Sequence, residues 1–196
     1  MNPKIDKLIK QFAKLPRVGN RAAVRIVLGL LQDKTGRAAS LAETLADVAS
    51  CIRPCKNCGV LTDGEICEFC CDNTRATGAL CIVRDMSDVL TFEKSSVFHG
   101  RYHIIGGLLS GASGIMPDDL NIHNIAQRIQ NENISEVIFA LPNTIEGKTT
   151  QHYIISTIGN TDAKFTELAS GVPLGGELDY IDDGTLTLAF GDRKTL

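Results

Sequence analysis

Six of the chain's seven cysteines fall within 21 residues, from Cys51 to Cys71. Cys55-x-x-Cys58 and Cys67-x-x-Cys70 are separated by eight residues, so each pair can bring two thiolates to one tetrahedral ion, a donor set that suits zinc. Gly59 follows the first pair, where a knuckle turn needs a residue with free dihedrals, and Gly64 suits the tip of a short hairpin between the pairs. Cys71 adjoins Cys70 and Cys51 precedes the first pair by four residues, so we read Cys51, Cys71 and Cys81 as small apolar residues. Four cysteines close the coordination sphere, which makes the zinc structural rather than catalytic. An iron–sulfur cluster is another use of such thiols. A redox pair is a third, although that chemistry usually needs a single CxxC.

The 196 residues allow one sizeable core plus small modules. The net charge of −3 is uneven: residues 1–37 hold nine Lys and Arg against Asp6 and Asp33. A basic arm of that kind meets polyanions, or forms a solvated helix face. No secretory signal is read in Met1-Asn-Pro-Lys-Ile-Asp-Lys, and the longest apolar run, Ile26 to Leu31, is too short to span a bilayer. The expectation is a cytoplasmic protein with no membrane partner, whose thiols stay reduced.

Ile5, Leu8, Ile9 and Phe12 follow the spacing of an amphipathic helix. A second helix opens near Asn20, a candidate N-cap, and runs to about Leu31; a third covers 38–50. Beyond Cys71 the pattern alternates. Strands are expected at Ala79–Val83, Tyr102–Ile105, Glu136–Leu141 and Lys164–Leu168, and helices over 86–94, from Asp118 or Asp119 through Ile129, and over 147–158. This is a parallel α/β sheet with appended small modules.

Leu15-Pro16-Arg17-Val18-Gly19-Asn20-Arg21 makes a turn onto a helix N-terminus, where backbone N–H groups point outward toward a phosphate. Arg21 and Arg25, four apart, share one helix face. The bland reading is an ordinary turn between two helices. After the first and third strands lie Asp85, Asp88 and Glu146. Acids at carboxyl ends of parallel strands build Mg²⁺ sites, or simply cap the next helix.

Taken in order, the basic hairpin 15–25, the four cysteines 55–70 and the α/β region resemble the bacterial recombination mediator family RecR. Tyr102-His-Ile-Ile-Gly-Gly-Leu-Leu-Ser110, Gly114-Ile-Met-Pro-Asp-Asp-Leu120, Asn143-Thr-Ile-Glu-Gly147 and Gly171-Val-Pro-Leu-Gly-Gly-Glu-Leu178 carry the resemblance over the whole chain. It implies a helix-hairpin-helix module over 1–54, a zinc finger over 55–70, a Toprim domain over 78–173 and a C-terminal oligomerisation segment over 174–196. It implies a homotetramer that binds single- and double-stranded DNA without sequence preference and acts with RecO and RecF to load RecA. Cys55, Cys58, Cys67 and Cys70 match its zinc ligands, Arg21 and Arg25 its DNA-contacting hairpin positions, with Arg17 adding charge where its turn usually has glycine. Glu146 matches a Toprim acid; with Asp88 it marks a possible partner surface. Arg84 stands where that family's first strand ends in glutamate.

Three functions compete: a DNA-binding mediator with no catalytic residues, a Mg²⁺-dependent Toprim enzyme, and an interaction scaffold without DNA binding. The first is the expectation. Arg84 removes one acid from the second, and the basic arm argues against the third.

Overall fold

A computed structural model describes residues 2–173, 175 and 177–193. Leu174, Gly176 and residues 194–196, which belong to the expected C-terminal segment, lie outside the described residues. The chain divides into two units, Met1–Ile52 and Arg53–Leu196.

The first unit is three helices: α1 Pro3–Phe12, α2 Asn20–Gln32 and α3 Arg37–Cys51. Asn2 caps α1 through Lys4 N at 2.9 Å, and Pro3 fits the first turn, which needs no N–H donor. Ile9, Ala23 and Val27 form its small core, with Ile5, Leu8, Phe12 and Val18 against them. Asn20 is the first helical residue of α2 rather than its cap. Gly19 holds the cap position, where it has no side chain to cap with, and its carbonyl accepts the first helical bond, from Ala23 N at 3.0 Å.

The second unit opens with a two-stranded ribbon, β1 Arg53–Pro54 antiparallel to β2 Leu61–Thr62, followed by the short helix α4 Glu68–Cys71. A parallel sheet follows in the order β4-β3-β5-β6: β3 Ala79–Val83, β4 Arg101–Ile104, β5 Glu136–Ala140 and β6 Lys164–Glu167. The connecting helices are α5 Met86–Ser95, α6 Ile125–Asn131 and α7 Ile145–Ile158; α8 Asp183–Gly191 follows the sheet. The strand alternation sorts two cores. Leu80, Ile82, Val137 and Phe139 pack with Ile125, Ile129 and Ile154 of α6 and α7. Cys81, Val83, Tyr102 and Ile104 face the other way, onto Val89 of α5 and onto Cys55, Cys58 and Cys67. No helix among the described residues is long and apolar enough to cross a membrane.

Two local expectations are corrected. Gly64 is not the ribbon's tip: the loop between β1 and β2 is the Cys55–Val60 knuckle itself, and Gly64 lies in the bend beyond β2. Nor does a helix start at Asp118 or Asp119. Residues 117–119 form one 3-10 turn, and Asn121 N then bonds Ile105 O at 2.9 Å, drawing the chain along the sheet until α6 begins. Leu120 and Ile122 are nonetheless buried in the expected core.

Candidate metal centre and nucleic-acid hairpin

The thiol sulfurs of Cys55, Cys58, Cys67 and Cys70 lie within 4.8 Å of one another and can hold a metal ion. Among the described residues they form the one such group of three or more His, Cys, Asp or Glu side chains. A tetrahedral ion with sulfur at about 2.3 Å requires ligand atoms roughly 3.8 Å apart, so the cluster fits zinc closely. Cys58 and Cys67 approach to 3.3 Å, and Cys67 N donates to Cys55 Sγ at 3.3 Å. Hydrogen bonds from Cys58 and Cys67 pull the Cys70 thiol down to about 2, while the same sharing with Cys67 and Cys70 pushes Cys58 up. A cation at the centre would take the place of those shared protons.

The knuckle is built against the sheet. Gly59 turns with φ +81°, and a Cβ there would press on Ile104 O at 2.9 Å. Ile104 N donates to Cys58 O at 2.7 Å, so the knuckle's own backbone pairs with the edge strand β4. Of the remaining thiols only Cys81 is a buried apolar residue. Cys51 and Cys71, read like Cys81 as small apolar residues outside the metal set, are exposed, each at the end of a helix.

Sequence reasoning missed what stands behind the cluster. Glu132 is bound by Arg128 Nε at 2.7 Å, Arg101 Nη1 at 2.8 Å and Asn57 Nδ2 at 3.0 Å. Burial raises the Glu132 pKa, but the hydrogen bonds from Arg128, Asn57 and Arg101 outweigh it and bring the carboxyl to about 2. Arg128 is almost wholly buried and also donates to Tyr102 O. Removing one member of such a buried pair costs about 3–5 kcal/mol, since the other charge is left without a partner. The one local signal was the Arg128–Glu132 spacing, which normally marks a surface pair.

In the first unit Arg17, Arg21 and Arg25 are all exposed, and none has an ion-pair partner among the described residues. Val18 N bonds Leu15 O at 3.1 Å, closing a turn with Pro16 and Arg17 at its centre. Arg17 there has φ +62°, the left-handed conformation that glycine adopts freely and other residues at a cost of about 1–2 kcal/mol.

The acids after β3 cap the next helix. Asp85 accepts from Ser87 N at 2.9 Å, and Asp88 accepts from Arg84 N and Asp85 N at 3.1 and 3.2 Å, a capping box for α5. Arg84 Nε lies 2.9 Å from Asp85 Oδ2. Glu146 is exposed in the first turn of α7, whose cap is Thr144, and it lines a cavity of about 390 Å³ with Leu109, Met116 and Ile145.

Comparison with known proteins agrees with this architecture. The description "RecR, helix-hairpin-helix" matches residues 5–49, "Toprim domain" matches 78–169, and "RecR, C-terminal" matches 171–194. Recombination protein RecR of Paracoccus denitrificans is 48% identical over 98% of this chain and 96% of its own. RecR of Ruegeria pomeroyi is likewise 48% identical over the same shares, and that of Cereibacter sphaeroides 45% over 97% and 96%. The chain belongs to the RecR family of recombination proteins.

Proposed function

We propose that this chain is a DNA-binding recombination mediator with no chemistry of its own, working in the cytoplasm. A role in recombination follows from the family. The DNA-binding reading rests on one observation: Arg17, Arg21 and Arg25 crowd the turn and first face of α2, exposed and without acidic partners among the described residues. Cations on a helix N-terminus suit phosphates, which position a protein without reading bases. Arg21→Ala and Arg25→Ala should weaken binding equally on unrelated sequences, and flatten the salt dependence by roughly one unit per lost phosphate contact. Binding unchanged in the double variant would remove the site from the hairpin.

The metal is zinc, one per chain, on Cys55, Cys58, Cys67 and Cys70. The compact all-sulfur donor set supports this reading. Its role is to fold the knuckle onto β4.

The Toprim domain is silent. Metal-assisted phosphoryl transfer needs two or three acids around Mg²⁺. Asp85 and Asp88 are engaged in capping α5, Arg84 places a cation at the strand end, and Glu146 alone gives only a weak hold. Asp88 and Glu146 instead contribute to a surface for a protein partner, RecO by family resemblance, with RecF as a second. Cleavage, relaxation or primer synthesis with Mg²⁺ or Mn²⁺, lost in Glu146→Gln, would establish an enzyme instead.

The chain assembles, as a homotetramer by resemblance, through the helical module 1–54 and the segment 174–196. The support is exposed apolar surface: Ile26, Leu28 and Leu31 on α2, Leu41, Leu45 and Val48 on α3, and Leu186, Leu188 and Phe190 on α8. Only monomer by light scattering at micromolar concentration would contradict it.

A further inference from the structure

Asn57 sits inside the first cysteine pair, and its amide faces two ways. Nδ2 lies 3.6 Å from Cys70 Sγ and 3.0 Å from Glu132 Oε1. One amide nitrogen carries two protons, so both contacts can be made together. Glu132 cannot swing away, because Arg128 and Arg101 hold both of its oxygens. The backbone of Asn57 is fixed separately: Asn124 Nδ2 donates to Asn57 O at 2.9 Å. The Asn57 amide nitrogen and backbone carbonyl are thus held by Glu132 and Asn124, the residues that flank α6 far along the chain.

This matters for a thiolate site. Four thiolates around a divalent cation carry a net charge of −2, in a place where Cys55, Cys58 and Cys67 are buried. N–H donors to sulfur disperse that charge and set the direction of the sulfur lone pairs. Cys70 is the least buried of the four and lies on the four-residue helix α4, so it has the least packing to orient it. Asn57 supplies a side-chain donor to it.

We propose that Asn57 is a positioning residue of the metal centre: clamped by Glu132, it orients the Cys70 thiolate and makes metal retention depend on the α/β sheet. The proposal rests on the zinc reading above, and on the shared amide between Cys70 and Glu132.

Cobalt(II) in place of zinc reports thiolate coordination directly, through sulfur-to-cobalt charge-transfer bands. In the full-length protein, Asn57→Leu removes both donors at similar volume. It should take up one cobalt per chain with shifted charge-transfer bands, and surrender the metal to a chelator about 10–100-fold faster. Asn124→Leu is the comparison. It loosens the knuckle's backbone without touching a sulfur, so it should lower the melting temperature and leave the bands where the wild type has them. Bands and release rate unchanged in Asn57→Leu would overturn the proposal while the metal site stood. A wild type that binds no cobalt would overturn the metal reading itself, and this proposal with it. Should Asn57→Leu not fold, wild type loaded with cadmium-113 decides. A scalar coupling between cadmium and an Asn57 Nδ2 proton supports the proposal, and its absence overturns it.

Discussion

Arg128 donates from Nη1 to His103 Nδ1 at 2.9 Å, and this contact fixes which ring nitrogen carries the proton. With Nδ1 accepting, Nε2 holds the hydrogen and gives it to Asn121 O at 2.6 Å. Both nitrogens are engaged in a fully buried ring, so the neutral tautomer is the one the fold accommodates.

Burial, then the Arg128 charge, lowers the His103 pKa to about 4. The unfolded chain binds a proton near pH 6.5 and the folded one does not. Stability is therefore full above about pH 6.5 and falls as the pH drops toward 4. Between pH 7 and pH 5 the loss should be about 2 kcal/mol. Urea unfolding at the two values measures it, and His103→Gln should reduce the difference by that amount. An equal pH dependence in the variant would show that His103 charges readily in the fold.

Gly147, in the first turn of α7, has no room for a side chain: a Cβ would overlap the carbonyl oxygen of Pro142. That oxygen is backbone and cannot rotate away. Gly147→Ala should cost about 1–3 kcal/mol or more, and move the α7 N-terminus with Glu146. Thermal melting checks the first effect, and amide chemical shifts at residues 142–150 the second.

Arg17→Gly should stabilise the helical unit by about 1 kcal/mol, because glycine relieves the left-handed strain and gives back part of it as chain entropy. Arg17→Ala keeps the strain and should gain nothing. If Arg17 contacts DNA, both variants lose affinity alike. Chemical denaturation and a salt titration of binding separate the two effects.

Cys58→Ser and Cys67→Ser should each lose metal and solubility, while Cys51→Ser and Cys71→Ser keep one metal per chain by elemental analysis. The distinction follows from burial in one sulfur cluster against exposure outside it.

Much of this was legible in the sequence because it is local. The two CxxC pairs gather four sulfurs, the apolar spacing of residues 5–12 gives α1, and Ala79–Val83 is a buried strand at the expected limits. Leu120 and Ile122 showed that a helical spacing can be satisfied by an extended segment, once Asn121 is tied to Ile105. Of Arg101, Arg128 and Glu132, only the Arg128–Glu132 spacing was readable, and that spacing ordinarily marks a surface pair. Charged residues ordinarily face water, and nothing near Arg101 in the sequence indicates that its partner lies 31 residues on. At Arg17 the resemblance pointed to a position where glycine is usual, and the turn geometry adds that the arginine there takes the left-handed conformation.

The backbone pairing of Cys58 with Ile104, and the hydrogen bonds that tie Asn57 to Asn124 and Glu132, 67 and 75 positions later, bear on how the chain is made. A ribosome delivers the cysteines first. For the time it takes to synthesise β4 and α6, the nascent knuckle has its sulfurs but neither the strand it rests on nor the carboxylate that steadies its amide. Under the proposal above, an ion taken up at that stage is held by the sulfurs alone, until Glu132 emerges to steady the Asn57 amide beside Cys70.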